Sequence, residues 1–91
     1  MAMNSSERYD YDKCISDGDW HMSKGAENES YRYWSEAKDH YYNAMCCYQE
    51  AYNIARGADD YAQYSANSSY NEAQSSFRSI SQKSYDDSRT M

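Results

Sequence analysis

The chain contains no proline, no leucine and no valine, and only one phenylalanine and three glycines in 91 residues. Without proline, no position forbids a helix by removing a backbone donor and clashing with the preceding turn. Without leucine and valine an ordinary aliphatic core is excluded: Ile15, Ile54 and Ile80 are the only branched aliphatic residues, where leucine is normally among the commonest. Three scattered glycines do not make a phosphate-cradling loop, and no nucleophile elbow is present. No stretch approaches the roughly 18 consecutive apolar residues of a membrane-spanning helix, and the segment from Met1 to Asp12 lacks the apolar run of a secretory signal. Cys14, Cys46 and Cys47 are an odd set without the spacing of a disulfide scaffold. These absences point to a cytoplasmic chain with reduced thiols.

Ninety-one residues suffice for one small domain, with residues 1–5 and 87–91 expected to be disordered. Fifteen acidic side chains against nine basic ones give a net charge of -6, which repels phosphate and disfavours direct binding of nucleic acid. A basic protein surface is the better complement. Mean hydropathy is -1.23, a value that on its own borders on the disordered class. Twelve tyrosines and two tryptophans outweigh it, because a tyrosine ring buries about 150–250 Å² and needs one partner for its hydroxyl.

From Ser30 the sequence alternates small and aromatic residues four apart: Ser30 and Trp34, Ala37 and Tyr41, Ala44 and Tyr48, then Ala51 and Ala55. Ala37, Ala44 and Ala51 align on a helical wheel, Tyr41, Tyr48 and Ala55 flank them, and Asp39, Asn43, Glu50 and Arg56 fall opposite. The same device returns at Ala66 and Tyr70, Ala73 and Phe77, then Ile80, offset by one residue. Between the two series, Arg56, Gly57 and the pair Asp59 and Asp60 read as a basic last turn, a glycine at C′ and an N-cap. One continuous helix across Gly57 is the weaker alternative. The expected fold is all-α: an antiparallel hairpin of two long helices, 28–56 and 59–85, with a short N-terminal helix over 6–17 completing a small three-helix bundle. Ser6 is the expected cap of that short helix and Gly18 its end.

The two small–aromatic series repeat at a spacing of 36, a rhythm similar to that of tetratricopeptide repeats. The closing proline and the 34-residue period of that family are missing, and any tightly packed helix pair produces the same rhythm.

No catalytic, cofactor-binding or metal-binding residues are assigned, and the chain does not read as an enzyme. His21 and His40 do not stand at ligand spacing, and Glu36 lies four residues before His40 as for a surface ion pair. Asp10, Asp12, Asp17 and Asp19 resemble a calcium loop only until its sixth and twelfth positions, which fall on Ile15 and His21. Adjacent Cys46 and Cys47 point about 100° apart on a helix and cannot act as a redox pair. Cys47 is expected at the edge of the core, and Cys46 as an exposed thiol.

If the chain doubles back, the start of the first long helix and the end of the second share one pole with the N-terminal segment. The expected partner-binding residues there are Asp17, Asp19, Trp20, Glu27, Glu29, Tyr31, Tyr33, Tyr85, Asp86 and Asp87. Carboxylates among exposed rings pair with and stack upon arginine and lysine. The expected function is therefore a non-enzymatic acidic binding protein that docks on and blocks a basic, nucleic-acid-binding surface of a partner protein. In composition alone such a chain is similar to the small inhibitors that phages direct at host nucleases, including anti-CRISPR proteins and DNA mimics. The alternative is a structural or assembly protein that homo-oligomerises through its Ala/Tyr stripe, or a helical adaptor of the tetratricopeptide kind. A metal-dependent role for His21, His40, Cys14 and Cys46 ranks last.

Overall fold

Asn4 opens the first helix in the computed structural model, which describes residues 2–90 and the side chains of residues 2–85. Its side chain accepts a hydrogen bond from the Glu7 N–H at 2.8 Å, while Glu7 accepts from the Asn4 N–H at 3.0 Å. This reciprocal box satisfies two of the donors that every helix start leaves free, and it, not Ser6, sets the start. Helix α1 spans Ser5–Ser30, α2 Trp34–Ala55 and α3 Asp60–Thr90. Among the described residues there is no strand.

The short N-terminal helix is thus a long one. Gly18 does not end it, and Gly25 lies within it as well. The break comes instead at Tyr31–Tyr33, so the first long helix of the expected hairpin starts at Trp34 and not at residue 28. Arg32 takes the left-handed conformation, φ 62, although it has no glycine's freedom there. The N–H groups of Tyr31 and Tyr33 both donate to the Asn28 carbonyl, at 3.1 and 2.9 Å, and that of Arg32 to Glu29 at 3.0 Å. These bonds satisfy carbonyls the helix end would otherwise orphan.

The second turn follows the sequence. Gly57 has φ 77, and the Asp59 carboxylate accepts from the Ala62 N–H at 3.0 Å as N-cap of α3. A continuous helix across Gly57 is ruled out. The three helices run up, down and up.

Helix α2 is the middle element, packed along its length against both neighbours. Ala37, Ala44, Ala51 and Ala55 are fully buried, and Tyr41 and Tyr48 nearly so. Helix α3 contributes Ala62, Ala66, Ala73 and Ile80, and α1 contributes Tyr11. Small residues seven apart let the backbones approach, and the rings fill what remains. Tyr11, Gly18 and Gly25, also seven apart, line the face that α1 turns to α2. The Tyr48 ring lies over Gly18 and the Tyr41 ring over Gly25, so closely that an added Cβ would sit 2.5 Å and 2.6 Å from them. Glycine's role at both positions is room for a ring.

The hydroxyls of the three buried tyrosines each find an acceptor, as burial of tyrosine requires. Tyr11 donates to the Ala62 carbonyl of α3 at 2.8 Å. Tyr41 and Tyr48 reach past their glycines to donate to Glu29 at 2.8 Å and Asp19 at 2.5 Å on α1. The bundle is elongated: its radius of gyration is 14.9 Å, against about 12 Å for a spherical domain of this length. No helix among the described residues is long and apolar enough to cross a membrane.

Candidate functional site

The expected partner-binding residues divide into two groups along α1. Asp17, Asp19 and Trp20 lie near its middle, because α1 does not stop at Gly18. Eight residues of helix rise, about 12 Å, separate Asp19 from Glu27. The assumption that all would meet at one pole is therefore corrected. Glu27, Glu29, Tyr31, Tyr33 and Tyr85 do share an end, since Lys83 of α3 pairs with Glu29 of α1. Asp86 and Asp87 continue α3, and their side chains lie outside the described residues.

Most of these carboxylates are engaged. Asp17 faces Lys13 at 3.4 Å and Glu27 faces Lys24 at 3.4 Å, both as exposed pairs. Asp19 accepts from Tyr48. Glu29 accepts from Tyr41 and Lys83, and the Lys83 ammonium is the main reason its carboxyl titrates below the ordinary range. Asp19 and Glu29 are thus structural anchors as well as surface charges. Even so, α1 carries seven carboxylates against three cations, which makes it the most acidic helix.

The rings at the pole are open. Tyr31, Tyr33 and Tyr85 are 62%, 57% and 60% exposed. The Tyr31 and Tyr33 rings lie against each other with centroids 5.8 Å apart, held up by the Arg32 turn between them. A pre-formed pair of rings loses little side-chain freedom when a partner covers it.

Sequence spacing hid one contact. His21 and His40 lie 19 residues apart, yet α1 and α2 bring their Nδ1 atoms within 3.0 Å. In place of the ion pair expected between Glu36 and His40, the His40 imidazole turns toward α1 and shares a hydrogen bond with His21. Trp20, 51% exposed, sets its ring edge-on to both imidazoles, with centroids 5.0 and 5.6 Å away. Lys24 lies over its face at 5.7 Å. Burial, then the neighbouring His40, shift the His21 pKa down, with Asp17 opposing. Among the described residues no group of three or more His, Cys, Asp or Glu is placed to hold a metal ion.

The thiols differ as expected from their wheel positions. Cys46 is exposed, whereas Cys14 and Cys47 are partly buried. Burial, reinforced by the Glu50 charge, pushes the Cys14 thiol up to about 11, and burial with Asp17 raises Cys47. Since the thiolate is the nucleophile, Cys46 is expected to alkylate with iodoacetamide at least about tenfold faster than either. Peptide mass spectrometry over a time course checks this; equal labelling of all three would contradict the burial order.

Set against models of protein families, curated proteins and solved structures, the chain matches none.

Proposed function

We propose that this chain is a non-enzymatic acidic binding protein that docks on a basic, nucleic-acid-binding surface of a partner protein and blocks it. The observation that supports this reading most directly is the exposed Tyr31–Tyr33 pair at the end of the most acidic helix. Charge along α1 steers the encounter, and the rings supply the anchor. Asp17, Trp20 and Glu27 flank the approach along α1, and Asp86 and Asp87 belong to the same proposal at the end of α3. Occlusion by docking fits better than imitation of a nucleic-acid backbone, because several α1 carboxylates are tied to lysines and tyrosines. Such a protein acts in the cytoplasm, as an inhibitor of the phage type, anti-CRISPR proteins included, would.

The assembly reading is weaker. The Ala/Tyr stripe that would carry it is buried inside the monomer.

The test is capture of binding proteins from cell extract. A basic protein should bind at about 0.05 M ionic strength, be released at about 0.5 M, and be displaced by double-stranded DNA. Capture should fail with Tyr31→Ser/Tyr33→Ser and with Asp17→Lys/Glu27→Lys, both checked for native helicity. Glu29 is left intact because it holds Tyr41 and Lys83. Equal capture by both variants, or indifference to salt, would reject the proposal.

A further inference from the structure

The seam between α1 and α2 holds a second feature, beside the Asp17 and Trp20 flank of the docking surface. His21 and His40 present their Nδ1 atoms to each other at 3.0 Å, with ring centroids 5.2 Å apart. Both side chains are only half-buried. Each comes from a different long helix, and the helices are fixed by the Tyr41–Gly25 and Tyr48–Gly18 contacts on either side.

Two imidazole nitrogens bound to one ion lie about 2.0–2.1 Å from it. At a separation of 3.0 Å they then subtend about 95° at the metal. That is close to the angle between neighbouring ligands in a tetragonal site and well short of a tetrahedral one. We propose that His21 and His40 form an interhelical site for a divalent ion of the copper and nickel class, bound through both Nδ1 atoms with water in the remaining positions.

The proton balance is simple. In the resting pair one Nδ1–H donates to the other Nδ1, so the two rings are opposite tautomers. Binding needs both Nδ1 lone pairs, and the donor ring shifts its proton to Nε2 through solvent. No net proton is released from the neutral pair. The Asp17 carboxylate, one turn earlier on α1 and paired with Lys13, is near enough to act on His21 through space. Trp20 against both rings acts as a built-in reporter.

Nickel is the probe of choice, because it does not oxidise the three thiols. Titration of the reduced, full-length chain with NiCl₂ should give one equivalent by calorimetry, with loss of tryptophan emission in step. The midpoint of thermal unfolding should rise with nickel concentration, since the ion joins α1 to α2 only in the folded state. His21→Ala and His40→Ala, each shown to be helical, should weaken binding at least about tenfold. Trp20→Phe should keep the binding heat and lose most of the quenching. Absence of stoichiometric nickel binding, or binding unchanged in both histidine variants, would overturn the site. Should one variant fail to fold, the other decides.

Discussion

Gly18→Ala and Gly25→Ala are each expected to destabilise the bundle by roughly 1–3 kcal/mol, the usual cost of overpacking. In an open helix the same change is stabilising by about 1 kcal/mol, because alanine has the higher helix propensity. Here the sign reverses. The new methyl group would meet Tyr48 Cε1 at 2.5 Å in one case and Tyr41 Cε1 at 2.6 Å in the other. Neither ring can swing aside cheaply, because each is anchored at its far end by a carboxylate, Asp19 or Glu29. A double-mutant cycle isolates the effect. Tyr48→Ala alone should cost about 3–5 kcal/mol as an aromatic truncation in the core. Added to that background, Gly18→Ala should lose its penalty, giving a coupling of at least about 1 kcal/mol. Gly57→Ala is the control: its φ of 77 makes alanine strained, yet nothing lies within 4 Å of the added atom. It should be insensitive to Tyr48. Urea unfolding of the wild type, the four single variants and the two double variants measures all of this, and a neutral Gly18→Ala would mean that α1 and α2 do not interdigitate as described.

The second large effect is alkaline. Burial, followed by the hydrogen bond to Asp19, raises the Tyr48 phenol well above the ordinary tyrosine value, and burial raises Tyr11. In the unfolded chain these groups titrate near 10. Because the folded pKa values are raised, their contribution is fully present below pH 10 and is lost as pH rises beyond it. The unfolded state releases its protons first, so stability falls by up to about 1.4 kcal/mol per pH unit for each such tyrosine. The bundle is expected to lose stability gradually from about pH 8.5, where the raised thiols of Cys14 and Cys47 titrate in the unfolded chain, and steeply above pH 10. Tyr48→Phe should cost about 1–2 kcal/mol at neutral pH through the lost hydrogen bond to a charged acceptor. It should also remove about one proton from the alkaline slope. Denaturation midpoints at pH 8, 10 and 11, followed by helicity and by tyrosinate absorbance, distinguish the cases. An identical alkaline slope in Tyr48→Phe would show that this hydroxyl does not titrate as buried.

The helical class, the Gly57 turn, the Asp59 cap and the Ala/Tyr stripe of α2 were legible, because each has a local cause within a few residues. The extent of α1 was not. Gly18 reads locally as a helix end, and only its pairing with Gly25, seven residues on, and with Tyr41 and Tyr48, also seven apart, shows a row of holes for a row of rings. The turn at Arg32 had no glycine or proline to announce it; it forms because hydrogen bonds to Asn28 and Glu29 hold it. For the candidate site, exposure of Tyr31, Tyr33 and Tyr85 could be anticipated from their places outside the stripe. The engagement of Asp19 and Glu29 by tyrosine hydroxyls could not, since it depends on how far a ring reaches across a neighbouring helix. The approach of His21 and His40 is likewise a product of two helices meeting, invisible to any spacing along one.

The hydroxyl-to-carboxylate bonds also settle a question of alignment. A core built on a seven-residue repeat invites α1 to slide along α2 by one whole repeat and still bury small against large. Slid one way, Tyr48 would lie over Gly25 with its hydroxyl at Ala26 in place of Asp19. Slid the other way, Tyr41 would lie over Gly18 with its hydroxyl at Met22, and Tyr48 would collide with Tyr11. Both shifted pairings take a phenol away from its carboxylate acceptor. The two acids act as stops on a ruler whose marks are otherwise identical, and a protein with so few kinds of apolar residue obtains a single register from them.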